Sequence, residues 1–98
     1  MKKIAVLGGG QVGASVAKIL TDDGNDITLV DNNASVLEDI QEDNDIKTIQ
    51  GNASSPSVLN QVELSDCDIL IATTASDEVN LVSCHLAKKM CNVPNVIA

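Results

Sequence analysis

No phenylalanine, tyrosine or tryptophan occurs in these 98 residues. Stacking a nucleobase on an aromatic ring is therefore excluded, and the core has to be aliphatic. Arginine is missing as well. Lysine alone supplies the 6 cationic side chains, against 14 Asp and Glu, for a formal net charge of −8 at pH 7. A chain of that sign repels phosphate backbones and anionic lipid surfaces, which argues against nucleic acid as a partner and against adsorption to membranes by charge. A small diphosphate is not excluded, because backbone N–H groups can bind it without carrying net charge. Long apolar runs are also lacking. Met1-Lys2-Lys3 followed by Ile4 to Leu7 has the order of a charged start and a hydrophobic core, but the run stops at Gly8, too short for a signal peptide or a membrane span. The expected setting is cytoplasmic, with no direct membrane insertion. Cys67, Cys84 and Cys91 are odd in number and lack CxxC spacing, so neither a disulfide framework nor a metal site is suggested and free, partly buried thiols are expected.

What the chain does contain is a modest apolar content, 44%, enough for one small domain. Its order reads strand, helix, strand, helix, strand, short helix, strand, helix, strand. Lys3 to Leu7 is a β-rich run ending in glycine. From Gln11 to Asp22, Val12, Val16, Ile19 and Leu20 recur at helical spacing and predict one apolar face, with Gly24 ending the helix. Asp26 to Val30 is a second strand, and Asn33 can cap a helix reaching about Asp43, with Val36, Leu37 and Ile40 on one side. Asp45 to Gln50 alternates as a third strand. Ser55-Pro56 has the form of a helix start, a cap residue and then proline, with an end near Val62. Asp68 to Ala72 is an unbroken apolar run suited to a strand covered on both faces. The longest helix runs from Asp77 to Cys91, capped by Ser76, with Asp77 and Glu78 at its positive end and Lys88-Lys89 at its negative end. Asn92 to Pro94 stops it, and Asn95 to Ala98 begins a fifth strand. Strands alternating with helices predict a Rossmann-like, doubly wound parallel α/β sheet with right-handed crossovers, one domain over residues 1–98.

The segment "VLGGGQVG" carries the chemistry. Gly8, Gly10 and Gly13 form G-x-G-x-x-G directly after a strand and at the opening of a helix, the context that gives the pattern meaning. Gly8 permits the tight turn, Gly10 leaves room for a pyrophosphate against backbone N–H groups, and Gly13 lets the helix press on the first strand. The helix start supplies unsatisfied donors and partial positive charge. Asp31 ends the second strand, where a carboxylate accepts from adenosine ribose hydroxyls and repels a 2′-phosphate. With no arginine to hold that phosphate, NAD or NADH is favoured over the phosphorylated dinucleotide. Asn52 follows the third strand, either as a base-reading amide or as a turn residue after Gly51. Thr73 and Thr74 follow the fourth, either near the second half of a ligand or as helix-entry caps. Asp77 and Glu78 read as dipole partners more readily than as acid and base. His85 falls in the middle of the long helix, away from the strand tips, and no catalytic residue is assigned.

"VLGGGQVGASVAKIL", "DITLVDNN", "IQGNASSPSVL" and "DILIATTASDEVNLVSCHLAKKM", in this order and spacing, resemble the N-terminal dinucleotide-binding domain of the Trk-type potassium uptake regulatory proteins. "TASDEVN" is the more specific part, since ordinary dehydrogenases share the glycine loop without it. The resemblance implies a regulatory, non-enzymatic subunit, peripheral at the inner face of the cell membrane. Such a subunit assembles as a dimer or tetramer on an integral membrane potassium transporter. It implies NAD or NADH as ligand, with ATP or ADP in relatives. It implies further that Gly8, Gly10, Gln11, Val12 and Gly13 form the phosphate loop and that Asp31 holds the adenosine ribose. Asn32, Asn52 and Ala53 would lie beside the adenine, and Thr73, Thr74, Asp77 and Glu78 would flank the remaining half. Many relatives carry Asp where this chain has Asn52, and the family's domain continues past a fifth strand, so a fragment of a longer chain is expected. The alternative is the N-terminal half of an NAD-dependent oxidoreductase. A third reading, a scaffold whose acidic surface binds a partner, is disfavoured by the glycine loop and Asp31.

Overall fold

Short aliphatic runs punctuated by glycine form the strands, and the computed structural model joins them through helices into one parallel sheet. The structure describes residues 2–8, 10–43, 45–62, 67–74, 76–90 and 95–97. Along the chain the elements are β1 (Lys3–Leu7), α1 (Gln11–Asp22), β2 (Asp26–Asp31), α2 (Ala34–Asp43) and β3 (Lys47–Gln50). They continue as α3 (Pro56–Gln61), β4 (Ile69–Ala72), α4 (Asp77–Met90) and β5 (Asn95–Ile97). The sheet order is β3-β2-β1-β4-β5, and every neighbouring pair is parallel. The doubly wound α/β class expected from the alternation is therefore the fold observed. The predicted fourth-helix end at Cys91 and its stop at Asn92 to Pro94 lie outside the described residues, as do Gly9 and Ala98.

Alternation along each strand divides the core in two. Ile4, Val6, Ile27 and Leu29 turn to one face and pack with Ala17 of α1 and Leu37 and Ile40 of α2. Ala5, Leu7, Val30, Leu70 and Ala72 turn to the other, against Val58 and Leu59 of α3, with Val79 and Cys84 of α4 at the margin. Leu7, Ile27, Leu29 and Leu70 are fully buried, and each stabilises the fold by roughly 1.5–3 kcal/mol relative to exposure.

Local chemistry sets the ends. Asn33 accepts the Ser35 N–H at 2.9 Å and Ser76 Oγ accepts the Val79 N–H at 3.2 Å, two of the three side-chain caps expected. Gly24 (φ 88°) closes α1: its N–H donates to the Thr21 carbonyl at 2.9 Å and the Asn25 N–H reaches Leu20 at 3.2 Å, a Schellman arrangement. Asp68 clasps β1 from just outside β4, its carboxylate accepting the Lys3 N–H at 2.9 Å.

Three expectations need correction. Of the predicted α1 face, Val12 and Ile19 are 64% and 62% exposed, while Gly13 and Ala17 are buried and Val16 and Leu20 half-buried. The helix docks through its smallest side chains, which bring its axis close to the sheet and swing the larger β-branched ones outward. Ser55 starts α3 in extended geometry before Pro56 but makes no side-chain capping bond; its hydroxyl lies 3.1 Å from Ser57 Oγ instead. In β4 only Leu70 and Ala72 are buried, whereas Ile69 and Ile71 on the opposite face are half-exposed, because they lie at the margin of the α1 layer.

Cys67 is buried and Cys84 half-buried, and neither forms a disulfide. Burial pushes the Cys84 thiol up from its ordinary value of 9.0, so little nucleophilic thiolate exists near neutrality. Alkylation of Cys84 by iodoacetamide at pH 7.5 is expected to run slower than that of a free cysteine. Mass spectrometry of the modified peptide measures it, and a rate equal to free cysteine would contradict the packing described.

A cleft at the carboxyl ends of the strands

From β1 the chain turns one way to β2, and β4 continues the other way to β5, so a crevice opens between the loops above β1 and β4. Gly8 makes the turn out of β1 with φ 104°, a conformation open to glycine and strained for other residues. Its N–H donates to the Val30 carbonyl at 2.6 Å. A side chain here is also excluded by space, since a Cβ would sit 2.9 Å from the Thr74 nitrogen. From the other side Thr73 closes the turn. Its N–H donates to the Leu7 carbonyl at 2.8 Å, and its hydroxyl lies 3.2 Å from that oxygen and 3.1 Å from the Gly8 oxygen.

Gly13 sits behind the loop. A Cβ there would collide with the Gly8 carbonyl and stand 2.8 Å from Thr73 Oγ1, so this glycine lets α1 approach β1, the role its place in the motif predicts. Gly10 differs. Its backbone is extended (φ −67°, ψ −167°), it forms no side-chain cap, and a Cβ would meet nothing within 4 Å. It therefore keeps space open and leaves the first amides of α1 without a capping side chain. No acidic residue stands in that first turn, so the helix dipole is uncompensated there.

The resulting cleft has a volume of about 500 Å³. Gly8, Gly10 and Val12 line it from the first turn, and Asp31 and Asn32 from the end of β2. Asn52 and Ala53 stand above β3, and Thr73 and Thr74 above β4. These nine residues, predicted on separate segments of the chain, meet in one crevice. Asp31 Oδ1 accepts the Asn33 N–H at 2.8 Å, which orients the carboxylate at the end of β2. Asn52 takes the turn role weighed for it. Its Oδ1 accepts from the Ser54 N–H at 2.9 Å and lies 2.8 Å from Ser54 Oγ, an Asx turn, while the residue still borders the cleft. The threonines are not helix caps; Ser76 fills that position.

Glu78 is exposed and does not line the cleft, because the first turn of α4 points it outward. The side chains of Gln11, Asp77, Lys88 and Lys89 lie outside the described set. Gly51, at the strand tip before Asn52, borders the crevice as well. Val30, Ser76 and Val79 also border it and were not foreseen; Ser76 adjoins a residue that was, whereas nothing in a strand pattern marks the last apolar residue of β2 as a cleft wall. Among the described residues no helix is long and apolar enough to cross a membrane.

A parallel sheet in this order, with a glycine turn and a helix start at the reversal of strand order, defines a Rossmann-like domain. The TrkA-N domain family matches residues 4–98, and the chain belongs to that family. It is 46% identical over 96 residues to the Trk system potassium uptake protein TrkA of Haemophilus influenzae, covering 98% of this chain and 21% of that protein. The chain thus spans about a fifth of the length of that relative. Among solved structures it resembles Shewanella denitrificans Kef CTD in an AMP-bound form, with TM-score 0.83 and 21% identity over 96% of this chain and 56% of the other. It also resembles the GsuK channel, with TM-score 0.82 and 19% identity over 98% of this chain and 17% of the other. At these identities the structural likeness speaks for the fold.

Proposed function

We propose that this domain is a regulatory nucleotide sensor. It binds NAD or NADH, with ATP or ADP as alternatives, and acts within a cytoplasmic homo-oligomeric subunit at the inner face of the membrane that controls an integral membrane potassium transporter. The observation that carries the reading is the lining of the cleft. Open space at Gly10, the start of α1 and the Asp31 carboxylate stand where a diphosphate and a ribose would be held. Gln11 and Gly13 complete the phosphate loop, and Asn52 and Ala53 receive the adenine. Thr73 and Thr74 border the distal half. The potassium uptake protein at 46% identity supports the transport role, and the AMP-bound relative supports an adenine nucleotide.

A hydride-transfer enzyme needs an acid or base beside its substrate. Among the described residues lining the cleft, Asp31 supplies the one carboxylate and no histidine, lysine or cysteine joins it, and it is assigned to the sugar. This favours sensing over the oxidoreductase reading. A sensor acts by binding one arrangement of the assembled subunits better than another.

Titration calorimetry with NAD, NADH, NADPH, ATP and ADP tests the proposal. NAD or NADH is expected to bind at least about tenfold more tightly than NADPH, because Asp31 repels the 2′-phosphate. Asp31→Ala is expected to weaken NAD by roughly 10- to 100-fold, the range for losing hydrogen bonds to a charged group, and to erase the discrimination against NADPH. Unchanged NAD affinity in that variant would remove Asp31 from the site.

A further inference from the structure

Two residues of α4 hold the cleft without lining it. Ser83 is fully buried, and its hydroxyl donates to the Ala53 carbonyl at 2.8 Å. That bond ties α4 to the loop after β3, across 30 positions of sequence. Asn80, one helical turn earlier and so on the same side of the helix, holds the loop after β4. Its Oδ1 accepts the Thr74 N–H at 3.1 Å and lies 2.6 Å from Thr74 Oγ1. Its Nδ2 donates to the Thr74 carbonyl at 3.2 Å. The amide thus satisfies both main-chain groups of Thr74, as a neighbouring strand would, two residues beyond the end of β4. The same threonine hydroxyl accepts the Ser76 N–H at 3.3 Å, so this loop is anchored at both ends of its turn.

Ala53 and Thr74 both border the cleft, and they stand on opposite sides of the first glycine turn. A single rigid helix face therefore sets how far apart the two walls stand. We infer that Asn80 and Ser83 are positioning residues for ligand binding, Ser83 fixing the adenosine wall and Asn80 the wall of the distal half. The inference rests on the nucleotide reading proposed above. It extends that reading by assigning affinity for each half of a dinucleotide to a different residue of the same helix. Removing the Ser83 hydroxyl leaves the buried Ala53 carbonyl without its donor, and the loop has to shift to regain one. Removing the Asn80 amide frees two main-chain groups of Thr74, which then seek water.

The test compares AMP, which occupies only the adenosine half, with NAD, which spans both, by calorimetry on the purified protein and its variants. Ser83→Ala is expected to weaken AMP and NAD by the same factor, about tenfold. Asn80→Ala is expected to leave AMP within about twofold and to weaken NAD about tenfold. Ser83→Cys, close in size and a weaker donor, should fall between the wild type and Ser83→Ala. Asn80→Asp keeps the acceptor for the Thr74 N–H and loses the donor to its carbonyl, and it should recover part of the NAD affinity. These two conservative variants carry the test if an alanine variant does not fold. Amide exchange at Thr74 in the ligand-free protein should quicken in Asn80→Ala and not in Ser83→Ala. A general loss of stability would weaken both ligands alike in both variants, and that outcome overturns the inference, as do unchanged affinities in folded variants. If the wild-type protein binds neither AMP nor NAD, the nucleotide reading itself fails and takes this inference with it.

Discussion

Gly10→Val is expected to lower NAD affinity by at least about 100-fold while the thermal midpoint falls by no more than about 8 °C. The reason lies in where the new atoms go. Gly10 has extended backbone geometry (φ −67°, ψ −167°), which any residue adopts without strain, and a Cβ there meets no protein atom within 4 Å. The fold loses only the difference between glycine and valine at a helix N-cap, about 0.5–1 kcal/mol, or some 4–8 °C at most for a domain of this size. The added methyl groups instead enter the space beside the first amides of α1, where the diphosphate is proposed to lie. Calorimetry and a thermal melt on the same preparation separate the two effects. Retention of NAD binding by a folded Gly10→Val protein would contradict the placement of the phosphates.

Gly13→Ala should do the reverse, striking the fold before the ligand. In an exposed helix the change would stabilise by about 1 kcal/mol, since alanine is the better helix former. Here the new Cβ would run into the Gly8 carbonyl and the Thr73 hydroxyl. Both belong to the tightest part of the turn: Gly8 is tied to Val30, and Thr73 to Leu7, by short backbone bonds. Neither is the free end of a flexible side chain, so α1 must move off the sheet to relieve the contact. The net destabilisation is expected to be about 2 kcal/mol, the top of the roughly 1–3 kcal/mol range for overpacking less the propensity gain of about 1 kcal/mol. Urea unfolding measures it, with a lower midpoint at unchanged slope as the expected result. A Gly13→Ala protein more stable than the wild type would mean that α1 does not press on β1 as described.

The pair shows how far a motif can be read in one dimension. G-x-G-x-x-G treats its glycines alike, and their offsets from strand and helix predict a role for each. That one of them could accept a side chain without harm to the fold, and another could not, depends on the distance between α1 and the β1 turn. Helix α1 makes the same point. Its spacing of Val12, Val16, Ile19 and Leu20 predicted an apolar stripe, and the structure buries Gly13 and Ala17 instead. Periodicity weighs side chains by hydrophobicity. Docking weighed them by size, because the smallest residues permit the closest approach.

Asn80 and Ser83 were illegible for a different reason. A polar residue inside a helix is ordinarily solvated, and nothing in "DEVNLVSCH" says that Asn80 would grip Thr74 or that Ser83 would be buried on Ala53. Those bonds join segments far apart in sequence, and they exist only once β3 and β4 lie on the two sides of β1. The element order, the parallel sheet, the glycine turn and Asp31 at the tip of β2 were all readable from the chain. Each follows from local rules: alternation, helical spacing, punctuation by glycine and proline, and a fixed offset from strand to loop. The depth at which α1 sits, the cleft walls at Val30 and Val79, and the helix that spaces those walls came from packing, because a distance between two elements is set by every side chain between them rather than by the residues of either one.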